Sequence, residues 1–541
     1  MKIKRVPDGN VVKTTIIISV AMNFLFFIYG VLEMYYINKA DFTFGADKVL
    51  QVIIPLFLVG AVCSIIAFGI AWIINEKFYS VCFAAYVIAY FVTYIQGTFL
   101  VNDLPVLNGE EIDWNSMMAG RIKSIAAVIA VSFIVILLYK RTKRDSFLFA
   151  IRFICCVMIA MFTVTIFTLH IQSKKYADEE VCVTFDHQYE FSNDKNFIIL
   201  VLDAVSSEGA DLVLSENEEY REMFDGFTFY RNTVGSYPTT AYALSYLFSG
   251  RWYEGGDFEE YRRNAYTDSP LFDYFEANDY RLGMYTTEVP SVRSLADRFE
   301  NVYNVKRQMT YFRGAASCMI KLAGYRYALF DLKRFCNFNL SICYQFFTVK
   351  GYAPYVLENE VLYQSMSENG ILKDSPKWFK FIHLEGAHVP WYLNKDVESD
   401  DNADYKSSIE ASFTVTDKFL YKLKEFGIYD NSVIIAMADH GYNSGLEEDD
   451  VTRNHMPFLC VKGLSEHHEL NISDAPISAE DFIEAFEKME QGAKSTEAFN
   501  YKEGDERKRR FILYNGHWVE YEQTGHVFDI ENFKPTGVVF D

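Results

Sequence analysis

Five apolar stretches fill the first third of this 541-residue chain, at 14–36, 49–74, 78–100, 117–139 and 147–171. Each approaches or exceeds the roughly 20 residues that a helix needs to cross about 30 Å of hydrocarbon. Buried core helices do not account for five such runs in succession, so residues 1–174 are expected to be a five-helix transmembrane domain. The first run is too long for a cleaved signal peptide, and no small-x-small site follows it. Basic residues set the orientation. Lys2, Lys4, Arg5 and Lys13 precede the first span and "YKRTKRD" (139–145) joins the fourth to the fifth, whereas "NGEEIDW" (108–114) between the third and fourth is acidic. The positive-inside rule then puts the N-terminus in the cytoplasm and everything after the fifth span outside the cell membrane. Glu33 and Arg152 lie within spans but near their ends, where snorkelling to the interface is the expectation.

The rest of the chain reads as a mixed, water-facing domain. The formal charge is −21, and residues 1–173 hold 14 Lys/Arg against 10 Asp/Glu, so about −25 falls on the remainder. That acidity argues against nucleic acid as a partner. Nine cysteines include no C-x-x-C pair, so a thiolate zinc site is not expected. They are too sparse for a disulfide framework, with Cys336 and Cys343 the candidate pair in an exported domain. Residues 175–195 read as a polar linker, leaving 196–541 as one extracytoplasmic catalytic domain.

Within that domain, unbroken apolar runs alternate with helical patterns. "NFIILVLDA" (196–204), "FTFYRNTV" (227–234), "YRLGMYTTE" (280–288), "WFKFIHLEGAH" (378–388) and "SVIIAMADHG" (432–441) are the strand candidates. Continuous runs rather than strict alternation suit strands buried on both faces, as in a parallel sheet. "SPLFDYFEAND" (269–279) opens with an N-cap Ser and Pro at the first helical position. The helical stretch 407–427 places Ile409, Phe413, Phe419, Leu420, Leu423 and Phe426 near one face, with Gly427 as its stop. The fold class is therefore α/β, a mostly parallel sheet sandwiched by helices. A small C-terminal β extension, including "RRFILYNGHWVEYEQ", is expected at a sheet edge. Ligands of such sheets sit at the carboxyl ends of the strands, where Asp203, His388, Asp439 and His440 all fall.

Asp439 and His440 end a greasy run with a carboxylate and an imidazole, a pairing that suits Zn²⁺ or Mn²⁺. Gly441 beside them would permit a tight turn, although a capped turn with a surface His has the same sequence. "GSYPTTAYALSYLFSG" (235–250) adds a second element. Pro238 suits the first helical position, which puts Thr239 and Thr240 in the first turn among free N–H groups, a natural place for phosphate or sulfate. A metal-bound Thr hydroxyl there could ionise and act as a nucleophile. His388 and His455 each shortly precede a proline, and alone each reads as structural.

Taken together, the order is Asp at an early strand end, a Thr-led helix, His-x-Pro, Asp-His-Gly and a second His-x-Pro. This order resembles the alkaline phosphatase/sulfatase superfamily. With five preceding spans it is similar to the membrane-anchored branch of lipoteichoic acid synthases and lipid A phosphoethanolamine transferases. The resemblance implies Asp203, Thr240, Asp439 and His440 as metal ligands, with a divalent ion, Mn²⁺ or Zn²⁺ and Mg²⁺ as an alternative. Thr240 rather than Thr239 matches the nucleophile, nine residues before Ser249. His388 and His455 match groups that hold the phosphoryl or a second metal and protonate the leaving group. The transferases usually have Glu where this chain has Asp203. The C-x-P-x-R motif of formylglycine sulfatases is missing, which disfavours that class. The implied function is transfer of a phospho-headgroup from a membrane phospholipid donor to an envelope glycan or lipid acceptor through a covalent threonine. Two alternatives stand beside it: a phosphodiesterase or sulfuric ester hydrolase of surface polysaccharide, and a non-catalytic envelope sensor that retains the fold.

Overall fold

A computed structural model describes residues 8–39, 42, 44–101, 104–105, 112–173, 181–337, 340–368, 372–374, 376–442, 453–514 and 517–540. Lys2, Lys4 and Arg5, residues 108–111 of the acidic loop, Lys174 and the start of the expected linker, 175–180, lie outside the described residues. The chain divides into two compact units, Met1–Glu180 with Lys306–Lys350, and Val181–Val305 with Gly351–Asp541. An excursion from the second half of the chain thus groups with the helices, where the sequence reading had kept all of 196–541 together.

The helical unit contains five helices long and apolar enough to cross a membrane: α1 (Gly9–Ile37), α2 (Ala46–Ile74), α3 (Glu76–Phe99), α4 (Met118–Arg141) and α5 (Arg144–Ser173). Their outward side chains are Ile, Val and Phe, with Ile73 64% and Phe133 66% exposed. Helices apolar all round suit lipid rather than water. The helix Phe312–Tyr327 of the excursion packs Ala315, Met319, Leu322 and Ala323 with Val31 and Leu32 of α1 and Val49 and Ile53 of α2. An antiparallel pair, Arg307–Met309 with Phe347–Val349, closes the base of the excursion. Cys336 and Cys343 are both free; Cys343 is buried in the same apolar cluster as Cys318, and the Cys336 sulfur lies against Gly324.

Glu33 does not snorkel. It is buried, and Arg326 of the excursion approaches it with Nε 3.1 Å from Oε2. The Tyr29 hydroxyl donates to Oε1 at 2.9 Å and the Tyr327 hydroxyl donates to Oε2. The Tyr327 ring fills the space over two glycines, where a Cβ would come within 3.0 Å at Gly30 and 2.1 Å at Gly97. A partner almost 300 residues away in sequence removes the need for the charge to reach water. Arg152 does extend to the start of α1, donating to the Asn10 carbonyl at 3.2 Å.

The α/β unit is built on a seven-stranded sheet. Its strands are β1 (Asn196–Leu202), β2 (Thr228–Tyr230), β3 (Tyr280–Tyr285), β4 (Lys377–Leu384), β5 (Ser432–Met437), β6 (Leu459–Lys462) and β7 (Asn471–Ser473), in the order β7-β2-β6-β5-β1-β4-β3. β5, β1, β4 and β3 run parallel, whereas β6 is antiparallel to both neighbours, so the sheet is mixed at one side. Every residue of β1 is buried. Phe197, Ile199 and Val201 enter one apolar cluster, and Ile198, Leu200 and Leu202 enter the other. That split is what an unbroken apolar strand requires: both faces are covered. The expected strand 227–234 breaks in two, its second part Thr233–Val234 pairing with Ile477–Ser478.

The helices that matter to the site are α6 (Thr240–Ser249), α7 (Asn359–Glu368) and α8 (Tyr405–Glu425). Ser269 caps Pro270–Ala277 as its sequence predicts, and Gly427, at φ +64°, follows the end of α8. The C-terminal strands β8 (Arg509–Tyr514), β9 (Trp518–Gln523) and β10 (Phe533–Phe540) form an antiparallel sheet of their own rather than extending the edge of the large one.

The Glu33 cluster generates a test. Removing one partner of a buried ion pair strands the other, at a cost of about 3–5 kcal/mol. Glu33→Ala is expected to lower the thermal midpoint of the full-length protein in detergent sharply. Glu33→Gln, which fills the same space and keeps one acceptor oxygen for a tyrosine, is expected to lower it less.

Candidate metal centre

Three parallel neighbours end at one level. Met437 of β5 is opposite Val201 of β1, and Val201 is opposite His383 of β4. The residues just beyond β1 and β5 therefore emerge side by side. Asp203, Asp439 and His440 each offer a donor atom, and these atoms lie within 4.8 Å of one another. His440 Nε2 is 3.6 Å from Asp203 Oδ1 and 3.5 Å from Asp439 Oδ2. His440 Nδ1 is 2.8 Å from the carbonyl of Gly441, which places the proton on Nδ1 and leaves the Nε2 lone pair facing the carboxylates.

All three side chains are buried, and Asp203 Oδ1 and Asp439 Oδ2 accept no hydrogen bond among the described residues. Buried anionic oxygens without donors are strongly disfavoured unless a cation neutralises them. Two carboxylates and an imidazole are a donor set for a divalent ion. Burial works to raise the Asp203 carboxyl, but His383, His440 and His388 outweigh it and hold the group at about 2. Burial likewise works to lower the two buried histidines, yet the carboxylates raise both, Asp203 acting on His383 and Asp439 with Asp203 on His440. The charge that an ion would neutralise thus biases both imidazoles toward protonation.

Thr240 is the first residue of α6, with Thr239 as its cap and Pro238 one position outside the helix rather than at its first position. The Thr240 hydroxyl is 3.3 Å from Asp203 Oδ2 and donates to it. Thr239 is exposed and Thr240 half-buried. The structure therefore brings together Asp203, Thr240, Asp439 and His440. The other two predicted residues lie outside the donor group. His388 is exposed, its Nδ1 at 2.7 Å from the Val389 carbonyl, though near enough to help hold Asp203 ionised. His455 is fully buried with its ring stacked on Phe533, centroids 4.0 Å apart, and its carbonyl accepts from the Gly235 amide.

The residue missed from sequence is His383. Its Nε2 lies 3.4 Å from Asp203 Oδ2 and its Nδ1 3.0 Å from the Thr286 hydroxyl. The signal was present: an imidazole inside an apolar run, beside the strand that delivers Asp203. Two glycines close the centre by size. A Cβ at Gly386 would fall 2.3 Å from both the amide nitrogen and the carbonyl oxygen of Asp203. Asn359, buried at the start of α7, fixes that glycine by accepting from its N–H at 3.1 Å and donating to its carbonyl at 2.9 Å. A Cβ at Gly441 would meet the Arg453 carbonyl at 2.5 Å. Close packing, rather than the tight turn expected, is what position 441 demands.

A family model described as Sulfatase matches residues 195–527. No curated protein matches the chain. Solved structures similar to it include the lipoteichoic acid synthase LtaP from Listeria monocytogenes, 14% identical over 67% of this chain and 90% of that one, with a TM-score of 0.37. The C-terminal periplasmic domain of EcEptC from Escherichia coli is 12% identical over 64% of this chain and 96% of its own, with a TM-score of 0.34. A protein in the alkaline phosphatase superfamily from Vibrio parahaemolyticus is 14% identical over 66% and 85%, with a TM-score of 0.37.

Gly441→Ala tests the packing. Overfilling a close-packed site costs about 1–3 kcal/mol, and here the strain falls on the segment that carries His440. The variant is expected to stay folded by circular dichroism but to retain less divalent metal than the parent after dialysis, measured by elemental analysis.

Proposed function

The chain belongs to the sulfatase family, and we propose that it is a membrane-anchored, metal-dependent transferase that moves a phospho-headgroup from a lipid to a cell-envelope acceptor by way of Thr240. One observation carries the reading: the Thr240 hydroxyl sits 3.3 Å from Asp203, beside Asp439 and His440, at the start of a helix. A divalent ion held by Asp203, Asp439, His440 and the Thr240 oxygen, Mn²⁺ or Zn²⁺ with Mg²⁺ as an alternative, supplies Lewis-acid stabilisation and a lowered hydroxyl pKa when bound.

The chain's own groups account for the rest. Thr240 Oγ1 gives up its proton to solvent and attacks phosphorus, the bond to the lipid alcohol breaks, and a protonated histidine gives that alcohol its proton. His388 suits this role better than His455, because it is exposed and acts on Asp203, whereas the His455 ring is stacked on Phe533. The first-turn N–H groups of α6 face developing negative charge on the phosphoryl oxygens. In the second step an acceptor hydroxyl passes its proton to the same histidine and attacks phosphorus, the bond to Thr240 breaks and the threonine regains a proton from solvent. With water as acceptor the same residues give a hydrolase.

Five apolar helices on the chain favour a donor that is itself in the bilayer. Lys140, Arg141, Lys143 and Arg144 at the junction of α4 and α5 favour a cytoplasmic loop there and, with it, an α/β unit on the outer side.

Intact mass spectrometry of the full-length protein with phospholipid donors tests the covalent step. The expected result is a headgroup-phosphate adduct mapped to Thr240, absent from Thr240→Ala, with turnover reduced at least about 10³-fold. Thr239→Ala is expected to keep the adduct. An unmodified Thr240 under turning-over conditions would overturn the covalent route, and product found only with water would make the enzyme a hydrolase.

A further inference from the structure

Immediately after Asp203 the backbone enters a conformation that a residue with a Cβ rarely adopts: Ala204 has φ +59°. Left-handed backbone is easy for glycine and unfavourable for alanine. Such residues persist where the surroundings over-determine them, often at functional sites. Here one buried hydroxyl contributes two of the bonds that do so. Tyr405, the buried first residue of α8, donates to the Ala204 carbonyl at 2.8 Å and accepts from the Ser206 amide at 2.8 Å. The bridge spans Val205, whose amide returns to Leu202 at 3.3 Å and whose carbonyl takes the Phe458 amide at 2.9 Å. The tyrosine ring is itself packed beside Trp391 and Tyr442, centroids 5.8 and 5.5 Å away.

The held residue is tied to both aspartates, to one through the backbone and to the other through its carboxylate. It is bonded to Asp203, and its amide donates to Asp439 Oδ1 at 3.2 Å. A relaxed Ala204 would rotate that amide away from Asp439 and re-aim the residue before it. We propose that Tyr405 is a positioning residue for the metal centre, its hydroxyl pinning Ala204 in the left-handed conformation so that Asp203 and Asp439 converge on one cation. The proposal rests on the reading of those two carboxylates as metal ligands.

The test measures Mn²⁺ and Zn²⁺ affinity of the full-length protein in detergent by competition with a chelator, alongside the melting temperature without metal. Tyr405→Phe keeps the ring and removes only the hydroxyl. Its affinity is expected to fall about 10–100-fold, the usual effect of losing a supporting hydrogen bond around a metal site. Adding Ala204→Gly to it should recover most of the loss, because glycine adopts the same φ without the hydroxyl's help. A tyrosine that merely stabilised the fold would not be rescued by deleting a neighbouring methyl group. Ala204→Gly alone loses a buried methyl and frees the unfolded chain, so relief of strain should leave it melting closer to the parent than Ala475→Gly, a control at another buried loop alanine; an equal or larger fall would show that no strain is stored there and overturn the proposal even if Tyr405→Phe failed to fold. Affinity unchanged in Tyr405→Phe, or equally weak in the double variant, overturns it as well. Asp203→Ala separates the two layers: if it binds metal like the parent, the ligand reading fails and the proposal with it.

Discussion

Two carboxylates placed side by side away from water repel each other and have no solvent to spread their charge. The rest of this structure is arranged around tolerating that. Asp203 and Asp439 arrive together because β1 and β5 are parallel neighbours that stop at the same height. His440 and His383 lean toward them, and a hydroxyl at a helix start donates to one of them. Among the described residues, two of the carboxylate oxygens still lack a donor. A fold that drives anions into its interior and leaves them short of partners is poised to accept a cation.

The grouping of Asp203, Asp439 and His440 was legible in sequence because the sheet leaves a clear trace. A run of buried aliphatics cannot end in a charged residue without reason, and both Asp203 and Asp439 stand at such ends. Thr240 was legible because helix starts have their own chemistry. The histidines were harder. His383 and His388 lie five residues apart in one segment, and only the register of β4 against β1 says which faces Asp203. His455 has the right neighbours in the chain, yet its ring is stacked on a strand that begins at Phe533. Gly441 was read as a turn, but what it provides is clearance from the Arg453 carbonyl twelve residues on.

The five helices were equally plain, since length and apolar content suffice to find them. What bound Glu33 was not. Periodicity describes neighbours along a chain, and Arg326 and Tyr327 belong to a segment with no marked composition of its own. The same holds for Tyr405 and Asn359, ordinary first-turn residues of two helices until the loops that they fasten are seen.

The excursion has a practical corollary for anyone who severs the anchor to obtain a water-soluble fragment. Residues 306–350 would travel with the fragment, but the surfaces against Met319, Leu322 and Ala323 would remain behind in the discarded helices. The fragment would carry a bare greasy flap and clump through it. Because Arg307–Met309 and Phe347–Val349 already run as a closed ladder, that ladder is the natural place to cut out the flap and stitch the ends with a short turn.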